Sequence, residues 1–169
     1  MNTATQVVCE RMEGVRAKTG RCEKGPALFK KALELSRLKR YGEAVKAFSL
    51  CIRATPDNAS AYYNRGLIWQ YTGRHDRAIP DYAKAIELSR FNPDAYYNRA
   101  IAYHHLGDLG RAISDYTKAI ELNPDDAYAY WNRGMAFSDQ RDYERAAVDY
   151  CKAIDIKQQV SATTSLTQE

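Results

Sequence analysis

The chain has 169 residues, 45% hydrophobic and 27% charged, a balance that excludes general disorder and supports one domain with a substantial core. No apolar run approaches the ~20 residues of a membrane helix, and the opening MNTATQVVCERMEG lacks the basic-then-apolar order of a secretory signal, so a cytoplasmic protein without a membrane span is expected. The net charge of +4 is uneven, with eleven Lys/Arg against five Asp/Glu in residues 1–46 and fourteen against sixteen in the rest.

Taken from the amino terminus, residues 1–24 read as a leader. It is either flexible, as Gly14 and Gly20 suggest, or a short helix carrying Val7, Val8, Met12 and Val15. The basic excess of this segment and the next (Arg16, Lys18, Arg21, Lys24, Lys30, Lys31, Arg37, Lys39, Arg40) reads as a solvated tail and helix face in preference to an acid- or phosphate-binding patch. It does not form a basic stripe interleaved with aromatics, so no nucleic-acid partner is expected. The four cysteines (Cys9, Cys22, Cys51, Cys151) contain no C-x-x-C pair. They read as free thiols in a reducing compartment.

From residue 25 onward the chain repeats itself. AYYNRGLIWQYTGRHDRAIPDYAKAIEL (61–88) returns as AYYNRAIAYHHLGDLGRAISDYTKAIEL (95–122) and AYWNRGMAFSDQRDYERAAVDYCKAIDI (129–156), and a divergent first copy occupies 27–54. The offset is 34 residues each time, which sets four registers: 25–58, 59–92, 93–126 and 127–160. Each copy carries two stretches of helical periodicity, so the expected fold is all-α, four antiparallel helix hairpins in series. Gly73 and Gly107 mark the break inside two copies, where a left-handed backbone is easy for glycine. Asn92-Pro93-Asp94 is a helix start, with Asn92 capping and Pro93 at the first helical position. Pro80 falls inside a predicted second helix and should bend it locally.

Three positions per copy stay small: Ala32, Ala44, Cys51; Gly66, Ala78, Ala85; Ala100, Ala112, Ala119; Gly134, Ala146, Ala153. Small residues allow close helix approach, and Leu28/Phe48, Tyr62/Tyr82, Tyr96/Tyr116 and Tyr130/Tyr150 fill the space beside them. Arg65, Arg99 and Arg133 occur in the copies that hold Asp81, Asp115 and Asp149, whereas the first copy has Lys31 and Ala47. An Arg–Asp pair across each of the last three hairpins is expected.

These small and aromatic positions, with Pro56 and Pro124 closing two copies, resemble the tetratricopeptide repeat family over residues 25–160. The resemblance implies a right-handed α-α superhelix whose first helices line a concave, peptide-binding groove. Carried over by register, the lining is Phe29, Lys30 and Leu33; Tyr63, Asn64, Leu67, Gln70 and Tyr71; Tyr97, Asn98, Ile101, His104 and His105; and Trp131, Asn132, Met135, Ser138 and Asp139. Asparagine recurs at Asn64, Asn98 and Asn132, and such ladders line the groove of some family members, including O-linked N-acetylglucosamine transferase. Each asparagine either contacts a peptide backbone or bridges hairpins. The basic and asparagine clamp of family members that bind Hsp70 and Hsp90 tails would fall at Phe29, Leu33, Asp94 and Asn98, or one hairpin later at Tyr63, Leu67, Tyr128 and Asn132. That clamp is absent, so binding of those tails is not expected.

The expected role is an adaptor that holds an extended protein or peptide segment. The three histidines, His75, His104 and His105, offer no metal-ligand spacing, and no phosphate loop or nucleophile elbow occurs, so neither an enzyme, a cofactor nor a metal is expected. The tail 161–169 is short and polar and does not read as a capping helix, which leaves Tyr143, Ala146, Ala147, Tyr150 and Ile154 of the last helix partly uncovered. Self-association through that end is the alternative role.

Overall fold

The computed structural model describes residues 24–166. The leader up to residue 23, with Cys9 and Cys22, and the last three residues of the tail lie outside the described residues. Eight helices follow one another: α1 (residues 24–37), α2 (Tyr41–Ala54), α3 (Ala59–Tyr71), α4 (His75–Leu88), α5 (Pro93–His105), α6 (Leu109–Leu122), α7 (Ala127–Asp139) and α8 (Tyr143–Leu166). No strand occurs among the described residues. The chain is an all-α superhelix of paired helices.

Local chemistry sets the boundaries. Asn58, Asn92, Asp108 and Asp126 each accept hydrogen bonds from the first-turn amides of the helix that follows, and Pro93 opens α5. Inside the hairpins the chain turns on one residue with a positive φ: Gly73 (+72°) and Gly107 (+78°). The same register holds Lys39 (φ 58°) and Arg141 (φ 64°) in the first and fourth hairpins. There the left-handed backbone is adopted at a steric cost that glycine avoids. α4 runs without a break across Pro80.

The core sits between the two helices of each pair. The small positions named above are all buried. The reason for their size is plainest at Gly66 and Gly134, where an added Cβ would lie 2.8 Å from the Tyr82 ring and 2.9 Å from the Tyr150 ring. Phe48, Tyr82 and Tyr116 fill the space and are fully buried. The Cys51 thiol is buried as well and points to the Gly25 carbonyl at 3.4 Å, so it packs as a small core residue.

The expected Arg–Asp pairs form. Arg65 holds Asp81 through two hydrogen bonds (2.8 and 2.6 Å), Arg99 holds Asp115 (2.7 and 2.8 Å) and Arg133 holds Asp149 (both 2.7 Å). The three aspartates are buried, and each carboxylate raises the pKa of its arginine. Arg65 and Arg133 spend a third donor on Ser49 (2.9 Å) and Thr117 (3.1 Å), so these forks also tie a hairpin to the one before it. At Arg99 the corresponding residue is Ala83, whose side chain has no acceptor.

α4, α6 and α8 pack on the first helix of their own hairpin, and α2, α4 and α6 pack on the first helix of the following one. α3 also touches α5, and α5 touches α7, while among the described residues no such contact joins α4 to α6 or α6 to α8. First helices therefore form the tighter, inner layer of the curve.

α8 differs from its sisters. α2, α4 and α6 end at residues 54, 88 and 122, with Pro56, Pro93 and Pro124 following them, whereas α8 continues through 24 residues to Leu166. Residues 157–166 contain neither Pro nor Gly, so nothing in the local sequence stops the helix. Much of the stretch read as a polar tail is thus helical.

Candidate functional site

The inner layer presents three clefts along its length. At the first hairpin, Lys30, Leu33, Glu34, Ser36, Arg37 and Asn64 surround about 870 Å³. Adjoining it, Ser36, Tyr41, Asn64, Leu67, Ile68, Gln70 and Tyr71 enclose about 340 Å³. Between α5 and α7, Ile101, His104, His105, Asn132, Met135 and Asp139 line about 510 Å³ above Tyr116. Of the residues the register predicts, Lys30, Leu33, Asn64, Leu67, Gln70, Tyr71, Ile101, His104, His105, Asn132, Met135 and Asp139 line these openings, and Phe29, Tyr63, Tyr97, Asn98, Trp131 and Ser138 do not. An aliphatic or thioether side chain from every first helix (Leu33, Leu67, Ile101, Met135) takes part.

The aromatic strip behaves differently. Phe29, Tyr63, Tyr97 and Trp131 lean on the second-helix aromatics of their own hairpins, Phe48, Tyr82, Tyr116 and Tyr150, with ring centroids 5.8, 5.9, 5.9 and 4.8 Å apart. Phe29, Tyr63 and Tyr97 are half-buried by this packing, whereas Trp131 stays 42% exposed. In the last hairpin the Lys157 ammonium lies over both Tyr128 and Trp131 (5.0 and 5.9 Å).

The asparagines are not equivalent either. Asn98 donates to the Tyr63 hydroxyl (3.1 Å) and to the Asp94 carbonyl (2.9 Å), and accepts from Gln70 (3.3 Å). Asn132 donates to the Tyr97 hydroxyl (2.7 Å). These two bridge hairpins. Gln70 in turn accepts from the Tyr82 hydroxyl (2.9 Å), so Asn98 of the third hairpin joins Tyr63 and the Gln70–Tyr82 pair of the second in one chain of hydrogen bonds. Burial, followed by the charge of Asp94, pushes the Tyr63 pKa up to about 12. Burial likewise raises Tyr82, Tyr97 and Tyr116. These hydroxyls stay protonated at neutral pH.

Two contacts at the inner edge escape a reading confined to single repeats. Tyr41 packs on Tyr71 (4.9 Å between centroids), and His75 stacks on His105 (4.3 Å, 11° between planes). Both join position n to n+30, a relation visible only when successive copies are aligned one above the other. His75 lies below its ordinary pKa, first because it is desolvated and then because His105 faces it. His104 reaches Asp139 at 2.7 Å in the following hairpin. Among the described residues, His, Cys, Asp and Glu nowhere gather into a group of three that could hold a metal ion.

Sequence comparison agrees with this architecture. Family models of the tetratricopeptide repeat match residues 25–58, 93–126 and 115–147, and a model of the TPR repeat matches 71–107. The chain belongs to the tetratricopeptide repeat family. No curated protein sequence matches it. Solved structures with the same fold include a crystal structure of MamA, 22% identical, with 96% of this chain and 98% of that one aligned at a TM-score of 0.80. MamA from Desulfovibrio magneticus RS-1 (residues 41 to the end) is 21% identical over 80% of this chain and 76% of its own, at a TM-score of 0.77. The first TPR of Spaghetti (RPAP3), bound to the HSP90 peptide SRMEEVD, is 24% identical over 70% of this chain and 94% of its own, with a TM-score of 0.68. At these identities the likeness is one of fold. No helix among the described residues is long and apolar enough to cross a membrane.

Proposed function

We propose that this tetratricopeptide protein is a binding adaptor, without a catalytic or cofactor role, that holds an extended segment of a partner protein along its first-helix groove in the cytoplasm. The observation that carries this reading is the row of open clefts floored by Leu33, Leu67, Ile101 and Met135 on the inner layer. Apolar side chains lining successive clefts on one face mark a contact surface. A structural relative, the first TPR of RPAP3, holds a peptide, which is consistent with this use of the fold. The residues at the Hsp-tail clamp positions, Phe29, Leu33, Asp94 and Asn98, do not supply that chemistry, so a tail of that kind is not proposed as the ligand. Pull-downs with Leu33→Glu and Met135→Glu variants test the reading. Loss of partner recovery is expected, and recovery equal to the unmodified chain would move the site off the groove.

A second reading, self-association through the last hairpin, is favoured by the exposure of Ile154. Its counterparts Ile86 and Ile120 are 9% and 8% exposed beneath the following hairpin, while Ile154 is 46% exposed and Tyr143 66%. Sedimentation over a range of concentrations checks it. Concentration-dependent mass abolished by Ile154→Glu supports it, and a constant monomer mass removes it.

A further inference from the structure

His75 opens α4 and His105 closes α5, so the two imidazoles meet where the second hairpin joins the third. Their rings lie face to face, with 4.3 Å between centroids and 11° between planes. His105 is exposed and His75 is half-buried. The Nδ1 of His75 is sealed from water and has no hydrogen-bond partner among the described residues. A neutral imidazole fits this place, because it can keep its proton on Nε2 and leave only a lone pair at Nδ1. An imidazolium does not fit. Both of its nitrogens carry hydrogen, so charging His75 in place would bury a donor without an acceptor, against a second imidazole 4.3 Å away. That cost is avoided when the ring leaves the stack and reaches water.

The charges around the stack do not offset this. Asp76, next along α4, favours the cation, but it is exposed and acts more weakly than desolvation and His105 do. Arg74, before α4, holds its guanidinium over Trp69 (5.6 Å), and Tyr71 at the end of α3 is a phenol that carries no charge in acid. On the α5 side, His104 is bound to Asp139 of α7 (2.7 Å), while Asp108 and Arg111 at the start of α6 bind each other (2.6 Å). The same n to n+30 relation is Tyr41–Tyr71 one joint earlier and Leu109–Asp139 one joint later, and neither pair gains a positive charge as the pH falls. The His104–Asp139 contact survives acid, since an imidazolium donates to a carboxylate.

We propose that the His75–His105 stack is an acid-released latch between the second and third hairpins, closed while both rings are neutral and opened when His75 takes up a proton. His75 lies below its ordinary 6.5, first through desolvation and then through the facing His105. The unfolded chain therefore binds that proton more readily than the folded one. The latch contributes its full stabilisation above pH 6.5 and loses it as the pH falls through the lower, folded value. Leu33 and Leu67 line clefts on one side of this joint, and Ile101 and Met135 line a cleft on the other. An open latch thus frees the two halves of the inner layer to move against each other. That last consequence rests on the groove reading above, whereas the latch itself does not.

The chain has three histidines, so each imidazole can be titrated singly by nuclear magnetic resonance. The titration is run on the full unmodified chain, His75→Phe, His105→Phe and His104→Gln, and the Tm of each is read at about pH 7.5 and about pH 5.5. Phenylalanine keeps a flat ring in the stack without a nitrogen to protonate. The expected result is that His75 titrates below 6.5 and moves up towards it in His105→Phe. Acidification should lower the Tm of the unmodified chain by roughly 2–4 °C more than that of either Phe variant, while His104→Gln keeps the whole drop. Amide exchange at the end of α5, corrected for its intrinsic pH dependence, should quicken in acid relative to α7. His75 titrating at 6.5 or above, or one and the same Tm drop in the unmodified chain and both Phe variants, would overturn the latch. Were a Phe variant not to fold, the titration and the exchange of the unmodified chain decide alone, and exchange at α5 that keeps pace with α7 would overturn it. No partner enters these measurements, so failure of the latch leaves the groove reading standing.

Discussion

Asp115 sits buried on α6 with both carboxylate oxygens engaged by Arg99 of α5, at 2.7 and 2.8 Å. The pair spans one hairpin, and its copies at Arg65–Asp81 and Arg133–Asp149 span two more. Removing one partner strands the other charge in a dry place, and that cost outweighs the net worth of the pair. Asp115→Ala should therefore destabilise the fold by about 3 kcal/mol, a drop in Tm of roughly 6–12 °C for a chain of this size. Replacing both residues by apolar ones of similar volume should recover most of the loss. A Tm unchanged in Asp115→Ala would show that the pair contributes nothing to stability.

Ala112 is fully buried where α6 meets α5. Its neighbour Tyr116 already fills the adjacent space. Ala112→Leu should overpack this contact and cost about 1–3 kcal/mol, read as a lower midpoint in urea unfolding with an unchanged slope.

Lys39 and Arg141 hold the positive φ that Gly73 and Gly107 hold in the other hairpins. Glycine relieves the steric cost of that backbone, against a smaller loss from the freer unfolded chain. Lys39→Gly and Arg141→Gly should each raise stability by about 0.5–1 kcal/mol, measurable as a higher Tm. A lower Tm in both would mean that the unfolded-state entropy dominates.

Alkali should weaken the fold before it titrates the core tyrosines. Tyr63 is pushed from 10.0 to about 12, and burial raises Tyr82, Tyr97 and Tyr116 in the same direction. In the unfolded chain these phenols lose protons near pH 10 while the folded protein retains them, so the stabilisation is complete below pH 10 and declines as the pH climbs towards 12. Denaturant unfolding at pH 8 and pH 11 should show the loss, and Tyr63→Phe should make it smaller.

The fold was legible because its cause is local and repeated. Residues that must be small, such as Ala100, or must grip, such as Arg99 and Asp115, return every 34 positions, and stacking gives each copy the same surroundings. The candidate site was legible only in part. Leu67, Ile101 and Met135 line clefts on the inner layer, but Tyr63 and Tyr97 lean on second-helix tyrosines that a single-helix reading does not bring near. A Tyr-Asn dipeptide in successive copies places the tyrosine of one beside the asparagine of the next, so the bridging role of Asn98 and Asn132 can be seen in hindsight.

What the sequence determined by itself is the array: helix type, hairpin boundaries, the small core and the Arg–Asp forks, all set by spacing along the chain. What only the tertiary structure decided is which repeated residues are still available to a partner. Asn64, Asn98 and Asn132 are identical in sequence, yet two are bound to tyrosines and one is open, because availability depends on what the preceding hairpin places opposite. In the same way Ile154 is exposed where Ile86 and Ile120 are buried. Identity is a property of the residue, whereas burial and hydrogen bonding depend on the neighbours that folding brings to it.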